Sequence, residues 1–118
     1  MDTKKILIAD DSAFMRKVLI DILTENGFSV FVECANGNEA LEKFASEKPD
    51  LCLLDIIMPE KDGLEVIKEI GRQANIIVIS AVGQDSMISE AKQNGAKGYL
   101  IKPFEKEQVV AEVKKILG

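Results

Sequence analysis

Short aliphatic runs alternate along this chain with longer stretches in which apolar residues recur every three or four positions. The runs Lys5 to Ala9, Phe28 to Cys34, Leu51 to Leu54, Ile76 to Ile79 and Gly98 to Ile101 have the length of strands. Several are apolar at every position, as strands covered on both faces are. The intervening stretches have helical period, most clearly at Met15, Val18, Leu19, Ile22 and Leu23, and at Val109, Val110, Val113, Ile116 and Leu117. Asn36 with Glu39, and Asp62 with Glu65, stand in capping-box spacing and mark helix starts, whereas Gly27 and Gly95 mark helix stops. Strict alternation of strand and helix requires parallel strands, right-handed crossovers and helices on both faces. The predicted fold is therefore α/β: a doubly wound, five-stranded parallel sheet of order 2-1-3-4-5 with five helices.

The chain has 118 residues and is 47% hydrophobic, enough for one packed core and too short for a second domain. No repeat or linker interrupts it, so residues 1–118 are expected to form one domain with no output domain attached. The only apolar run near the N-terminus, Ile6 to Ala9, is too short for a signal core or a membrane span, which predicts a cytoplasmic protein. A net charge of −5 argues against nucleic acid and anionic membrane as partners and favours cations or basic partners. Cys34 and Cys52 lack the spacing of a zinc or redox site and read as buried free thiols. The chain has no His, which excludes histidine catalysis and leaves carboxylates, hydroxyls, amines and hard cations to carry any chemistry.

In open α/β sheets the site lies beyond the carboxyl ends of the strands. The residues found there are Asp10 and Asp11 after the first strand, Asp55 after the third, Ser80 after the fourth and Lys102, followed by Pro103, after the fifth. Each has an ordinary structural explanation by itself: a helix cap at Asp10 to Ser12, a turn at Asp55, a local backbone bond at Ser80, a solvated Lys102. Together they are harder to explain away, because carboxylates about 5 Å apart at an effective dielectric near 20 repel by about 3 kcal/mol per pair. A positive charge must offset that, either Lys102 or a hard divalent cation such as Mg2+, which takes carboxylates and phosphate oxygens. Carboxylates, a hydroxyl and an amine around such an ion suit phosphoryl transfer, with Asp55 as a nucleophile able to form an acyl phosphate.

The segments "ILIADDSAFMRK", "LLDIIMPEKDG", "ISAVGQ" and "GYLIKPF", taken in order, resemble a response-regulator receiver domain, more narrowly the single-domain chemotaxis (CheY-like) type, over essentially the whole chain. The resemblance implies a flavodoxin-like fold and a signalling switch of a two-component system that is not an enzyme on other substrates. It implies that Asp55 is the phosphoacceptor, that Asp11, Asp55 and the backbone carbonyl of Ile57 hold Mg2+, and that Asp10 acts through a metal-bound water. Lys102 would pair with the phosphoryl group across a cis Lys102–Pro103 bond, Ser80 would be the switching hydroxyl, and Tyr99 the aromatic that follows it inward. It further implies a histidine kinase (CheA-like) upstream and, downstream, a motility or motor-switch protein or adaptor bound through the fourth helix, fifth strand and fifth helix by a monomer.

Three other readings share parts of this pattern. A haloacid-dehalogenase-type phosphatase wants a second Asp two residues after the nucleophile, where this chain has Ile57. A flavodoxin wants a hydroxyl- and glycine-rich loop where this chain has "DDSAF". A phosphorelay intermediate, handing its phosphoryl group to a histidine phosphotransfer protein, differs from a chemotaxis regulator only in that "DDSAFMRK" and "SAVGQ" look like the latter. The stretch from about Gln84 to Asn94, with a thin apolar face of Met87, Ile88 and Ala91, is the expected moving element. Lys92, Lys97 and Lys106 would make its neighbourhood basic.

Overall fold

The computed structural model describes residues 3–118. Strands β1 (Lys5–Ala9), β2 (Val30–Cys34), β3 (Leu51–Asp55), β4 (Ile76–Ala81) and β5 (Gly98–Lys102) alternate with helices α1 (Ala13–Thr24), α2 (Gly37–Glu47), α3 (Gly63–Ile70), α4 (Asp85–Gln93) and α5 (Lys106–Leu117). All strand pairs are parallel and the order is β2-β1-β3-β4-β5. Among the described residues no helix is long and apolar enough to cross a membrane.

Two-sided burial explains the uniformly apolar strands. Leu7, Ala9, Cys52, Leu54, Ile76 and Val78 point to the face packed by α2, α3 and α4. The intervening Ile6, Ile8, Leu51, Leu53, Ile77 and Ile79 point to the face packed by α1 and α5. With period 2 along each strand, no position from Ile6 to Ala9, Leu51 to Leu54 or Ile76 to Ile79 is left for a polar side chain. The edge strand β2 is covered less completely, and Val30 and Glu33 are exposed.

Local closures refine the expected boundaries. Phe28 lies outside β2: Gly27 adopts φ 97°, its N–H donates to the Thr24 carbonyl, and the Phe28 N–H donates to the Leu23 carbonyl. These are the two bonds of a Schellman turn, and Phe28 is apolar because it seals α1 against the core. Asp62 and Glu65 form the reciprocal capping box as expected. Asn36 caps α2 by accepting from the Glu39 N–H, but the Glu39 carboxylate accepts from the Ala35 N–H rather than from Asn36, so the box is only half made. At the other end of the molecule, α4 is pinned to α3 in three ways. Lys68 pairs with Glu90 at 2.9 Å, Arg72 donates to the Gln93 carbonyl at 3.1 Å, and Gly95 (φ 114°) lies directly on Gly71, where a Cβ on either would collide with the other's backbone neighbourhood.

Cys34 pairs in register with Ala9 and Cys52 with Leu7, so β1 stands between them. Two strand spacings, roughly 9.6 Å, exceed the reach of a disulfide. Burial pushes the thiols up to about 11 for Cys34 and about 12 for Cys52. Iodoacetamide at pH 8 should therefore modify neither cysteine in the folded protein and both after urea denaturation, read by intact mass; rapid labelling of either in the native state would contradict this packing.

Candidate functional site

The ends of four strands meet at one rim. At the end of β1, Asp10 is 1% exposed and its Oδ1 accepts from the Ser12 N–H at 2.8 Å. Ser12 in turn caps α1, its Oγ accepting from the Met15 N–H at 3.2 Å. Asp11 projects into solvent, and no described residue donates a hydrogen bond to its carboxylate. Asp55 closes β3, 6% exposed, with Oδ1 accepting from the Ile57 N–H at 3.1 Å. The chain can turn into α3 so close to it only through Gly63, where a Cβ would stand 2.5 Å from the Asp55 carbonyl oxygen.

Lys102, last in β5, reaches across the rim. Its Nζ lies 2.8 Å from Asp55 Oδ2 and 3.3 Å from Asp10 Oδ2. The Lys102–Pro103 peptide bond is cis. Ser80 falls within β4 rather than after it, 1% exposed, and its Oγ is a buried side-chain atom with no hydrogen-bond partner among the described residues. An unmet hydroxyl in the interior is a costly feature that a later hydrogen bond can relieve. Tyr99 is 40% exposed and turned outward, with the Lys92 ammonium 4.4 Å from its ring centre, a cation–π contact between α4 and β5.

Charge dominates the rim. The ligand oxygens of Asp10, Asp11 and Asp55 all lie within 4.8 Å of one another. Three carboxylates against one ammonium leave a residual charge of −2, so Lys102 by itself does not balance the cluster. Burial pushes the Asp55 carboxyl above the ordinary carboxylate range; the hydrogen bonds from Lys102 and from the Ile57 N–H and the Lys102 charge oppose that rise without cancelling it, and the Asp10 charge adds to it. Burial would lower Lys102, but its hydrogen bond to Asp55 and the charges of Asp55 and Asp10 outweigh burial and hold the ammonium above its usual value. An all-oxygen donor set with a residual charge of −2 fits Mg2+ and offers nothing to soft metals.

A family model described as "Response regulator receiver domain" matches residues 6–114. The chain belongs to the response-regulator receiver family. Among curated proteins this receiver domain is 48% identical to the chemotaxis protein CheY of Bacillus subtilis over 97% of its own length and 98% of that protein's. It is 47% identical to the CheY of Thermotoga maritima over 96% and 97%. Among solved structures it superposes on a response regulator from Chloroflexus aurantiacus with a TM-score of 0.90 at 31% identity, covering 98% of each chain. Receiver domains are signalling switches rather than enzymes acting on other substrates, and the acidic cluster of this one is a candidate divalent-cation site.

The receiver's rim also carries exposed apolar side chains and an arginine. Phe14, Ile57 and Val82, in the segments that follow β1, β3 and β4, are 72%, 52% and 76% exposed. Arg16, half-buried in the first turns of α1, donates to the Asp10 carbonyl at 2.6 Å and to Glu33 at 2.9 Å. Its position four residues after the Ser12 cap, on the helix face that looks at the rim, was the available signal.

The raised Asp55 pKa has a definite sign for stability. The folded protein holds the Asp55 proton to higher pH than the unfolded chain, so this group's contribution is fully present below the unfolded value of 3.8 and is lost as pH rises through the folded pKa. Asp55→Asn should accordingly raise the thermal midpoint at pH 7, and the gain should shrink toward pH 4. Thermal melts across that range test it, and a lower midpoint for the variant at pH 7 would show that the Lys102 pair outweighs burial.

Proposed function

We propose that this receiver domain accepts a phosphoryl group on Asp55 from a phosphohistidine of a CheA-like kinase and then binds a downstream target in chemotaxis or motility control. The observation that carries the reading is the single rim on which a buried carboxylate, two further carboxylates, an ammonium bridging two of them and an unpartnered buried hydroxyl converge. In the transfer, an Asp55 oxygen attacks phosphorus, the P–N bond to histidine breaks and the electron pair leaves with the imidazole, which takes up a proton. Asp10, Asp11, Asp55 and the Ile57 carbonyl would hold Mg2+, which when bound supplies charge stabilisation to the phosphoryl oxygens. Lys102, already at 2.8 Å from Asp55, keeps a cation beside the acceptor before and after transfer.

The product adds roughly −1.5 to −2 charge and three acceptor oxygens beside Ser80. The Ser80 hydroxyl then gains the acceptor it lacks, and its movement lets Tyr99 leave its outward position under Lys92. The partner would read this on α4, β5 and α5. A groove of about 590 Å³ there, lined by Val82, Tyr99, Ile101, Pro103, Ala111 and Lys115 among others, runs from the site onto that surface, with Lys92, Lys97 and Lys106 exposed nearby. The chemotaxis assignment draws support from the CheY relatives at 48% and 47% identity. A phosphorelay role is the second reading, distinguished by transfer back to a histidine phosphotransfer protein.

Acetyl phosphate with Mg2+ should add one phosphoryl group to the protein by intact mass and none to Asp55→Asn; equal labelling of the variant would place the nucleophile elsewhere. Ser80→Ala should be labelled yet lose most of the phosphorylation-dependent gain in partner affinity, because the hydroxyl reports the product and takes no part in forming it.

The lifetime of the phosphorylated state follows from two exposed apolar residues. Ile57 and Val82, exposed two residues after Asp55 and two after Ser80, would flank the approach of water to Asp55, and their side chains offer it neither donor nor acceptor. Ile57→Asn with Val82→Glu should release phosphate about tenfold faster, equivalent to about 1.4 kcal/mol of barrier. Equal or slower release from the double variant would remove both residues from the path of the water.

A further inference from the structure

Asp11 is the exposed member of the acidic cluster, and its carboxylate accepts no hydrogen bond from the described residues. Its position therefore depends on the peptide that joins it to Asp10. The Asp10 N–H donates to the Cys34 carbonyl at 3.0 Å, continuing the β1–β2 ladder one step past its last registered pair, Ala9 with Cys34. In a parallel ladder the carbonyl of the same residue would be met by the N–H two positions further along the neighbour, at residue 36. Asn36 has by then left the strand to cap α2, and the Ala35 N–H is taken by Glu39. On the other side of β1, the Ile56 N–H is committed to the Ile79 carbonyl. Among the described residues, therefore, no backbone N–H of β2 or β3 meets the Asp10 carbonyl.

Arg16 supplies the replacement. Its Nη1 donates to that carbonyl at 2.6 Å, while its Nε donates to Glu33 Oε1 at 2.9 Å, and the side chain is only 16% exposed. A planar guanidinium can hold both partners at once, which the single-point ammonium of lysine does not. We infer that Arg16 is a positioning residue for the cation site: by gripping the Asp10–Asp11 peptide from α1, braced on β2 through Glu33, it fixes the direction in which Asp11 presents its carboxylate. The inference rests on reading Asp10, Asp11 and Asp55 as that site, and it does not depend on phosphorylation.

Grip and charge predict opposite signs. As a mere positive charge near the cluster, Arg16 would oppose a cation, and its removal would tighten Mg2+ binding; as the grip on the peptide, its removal loosens Asp11 and weakens binding. Calorimetric titration of the folded protein with Mg2+, no phosphodonor present, separates the two. Arg16→Met is expected to bind Mg2+ about tenfold more weakly, the usual scale for loss of a group that orients a ligand. Arg16→Lys keeps the charge and loses the fork, so it is expected to bind more weakly than wild type, whereas a charge effect leaves it unchanged. Arg16→Lys also carries the test if the Met variant does not fold. Unchanged or tighter Mg2+ binding by Arg16→Lys, a lowered thermal midpoint with unaltered Mg2+ affinity, or no Mg2+ binding by wild type would each overturn the inference. Normal Mg2+ binding with no acetyl-phosphate labelling would instead count against the proposed function and leave the positioning role standing.

Discussion

Burial of the central strands on both faces is the constraint from which the rest of this molecule follows. Once α2, α3 and α4 cover one side of β1, β3 and β4 and α1 and α5 cover the other, a charge anywhere along those strands would need a buried partner. Polar chemistry is confined to the points where strands run out. Because the strands are parallel, those points fall on one rim, and side chains 92 and 47 residues apart in sequence, Asp10 with Lys102 and Asp55 with Lys102, meet there within hydrogen-bonding distance. The same interior that excludes charge also sets its strength: Asp10 and Asp55 sit at the mouth of an apolar layer, where water screens them poorly and the ammonium between them matters more than a surface lysine would.

This constraint is also why so much of the fold was legible from the chain. Continuous apolar runs such as Leu51 to Leu54 can be accommodated in few ways, and helical stretches between them leave the doubly wound sheet as the natural answer. Reading the residue after each run then led directly to Asp10, Asp11, Asp55, Ser80 and Lys102. Legibility failed where a residue's role is set by another element. Phe28 looked like strand because it is apolar, yet its burial serves the closure of α1. Glu39 stands at capping-box distance from Asn36 but is drawn one residue further, to the Ala35 N–H at the end of β2. The outward ring of Tyr99 depends on a lysine seven residues earlier on a different element. Arg16 finds its partner Glu33 across 17 residues, and no local pattern links the two.

The rim is built to be unfinished. Two carboxylates on it are satisfied by the protein itself: Asp10 by Ser12 and Lys102, Asp55 by Ile57 and Lys102. Two groups are not: among the described residues the Asp11 carboxylate has no donor and the Ser80 hydroxyl no partner. One lacks a cation and the other an acceptor, so the two gaps are complementary in charge to the two things a phosphorylated receiver gains.

The pinning of α4 to α3 has a mechanical consequence. All three fastenings, Lys68–Glu90, Arg72 on the Gln93 carbonyl and the Gly71–Gly95 apposition, lie toward the C-terminal end of the helix, while its first turn follows Gln84, which gives it no side-chain cap and ties it to the end of β4 only by accepting from the Ala81 N–H at 2.8 Å. A rod fixed at one end tilts rather than slides. Over a helix of nine residues, about 13 Å long at 1.5 Å per residue, a tilt of about 5° displaces the free end by about 1 Å and the fixed end hardly at all. The geometry acts as a lever with its fulcrum far from the rim, so a small change beside Ser80 is expressed most strongly at the near end of α4, and the packing of α3 against the sheet is left undisturbed.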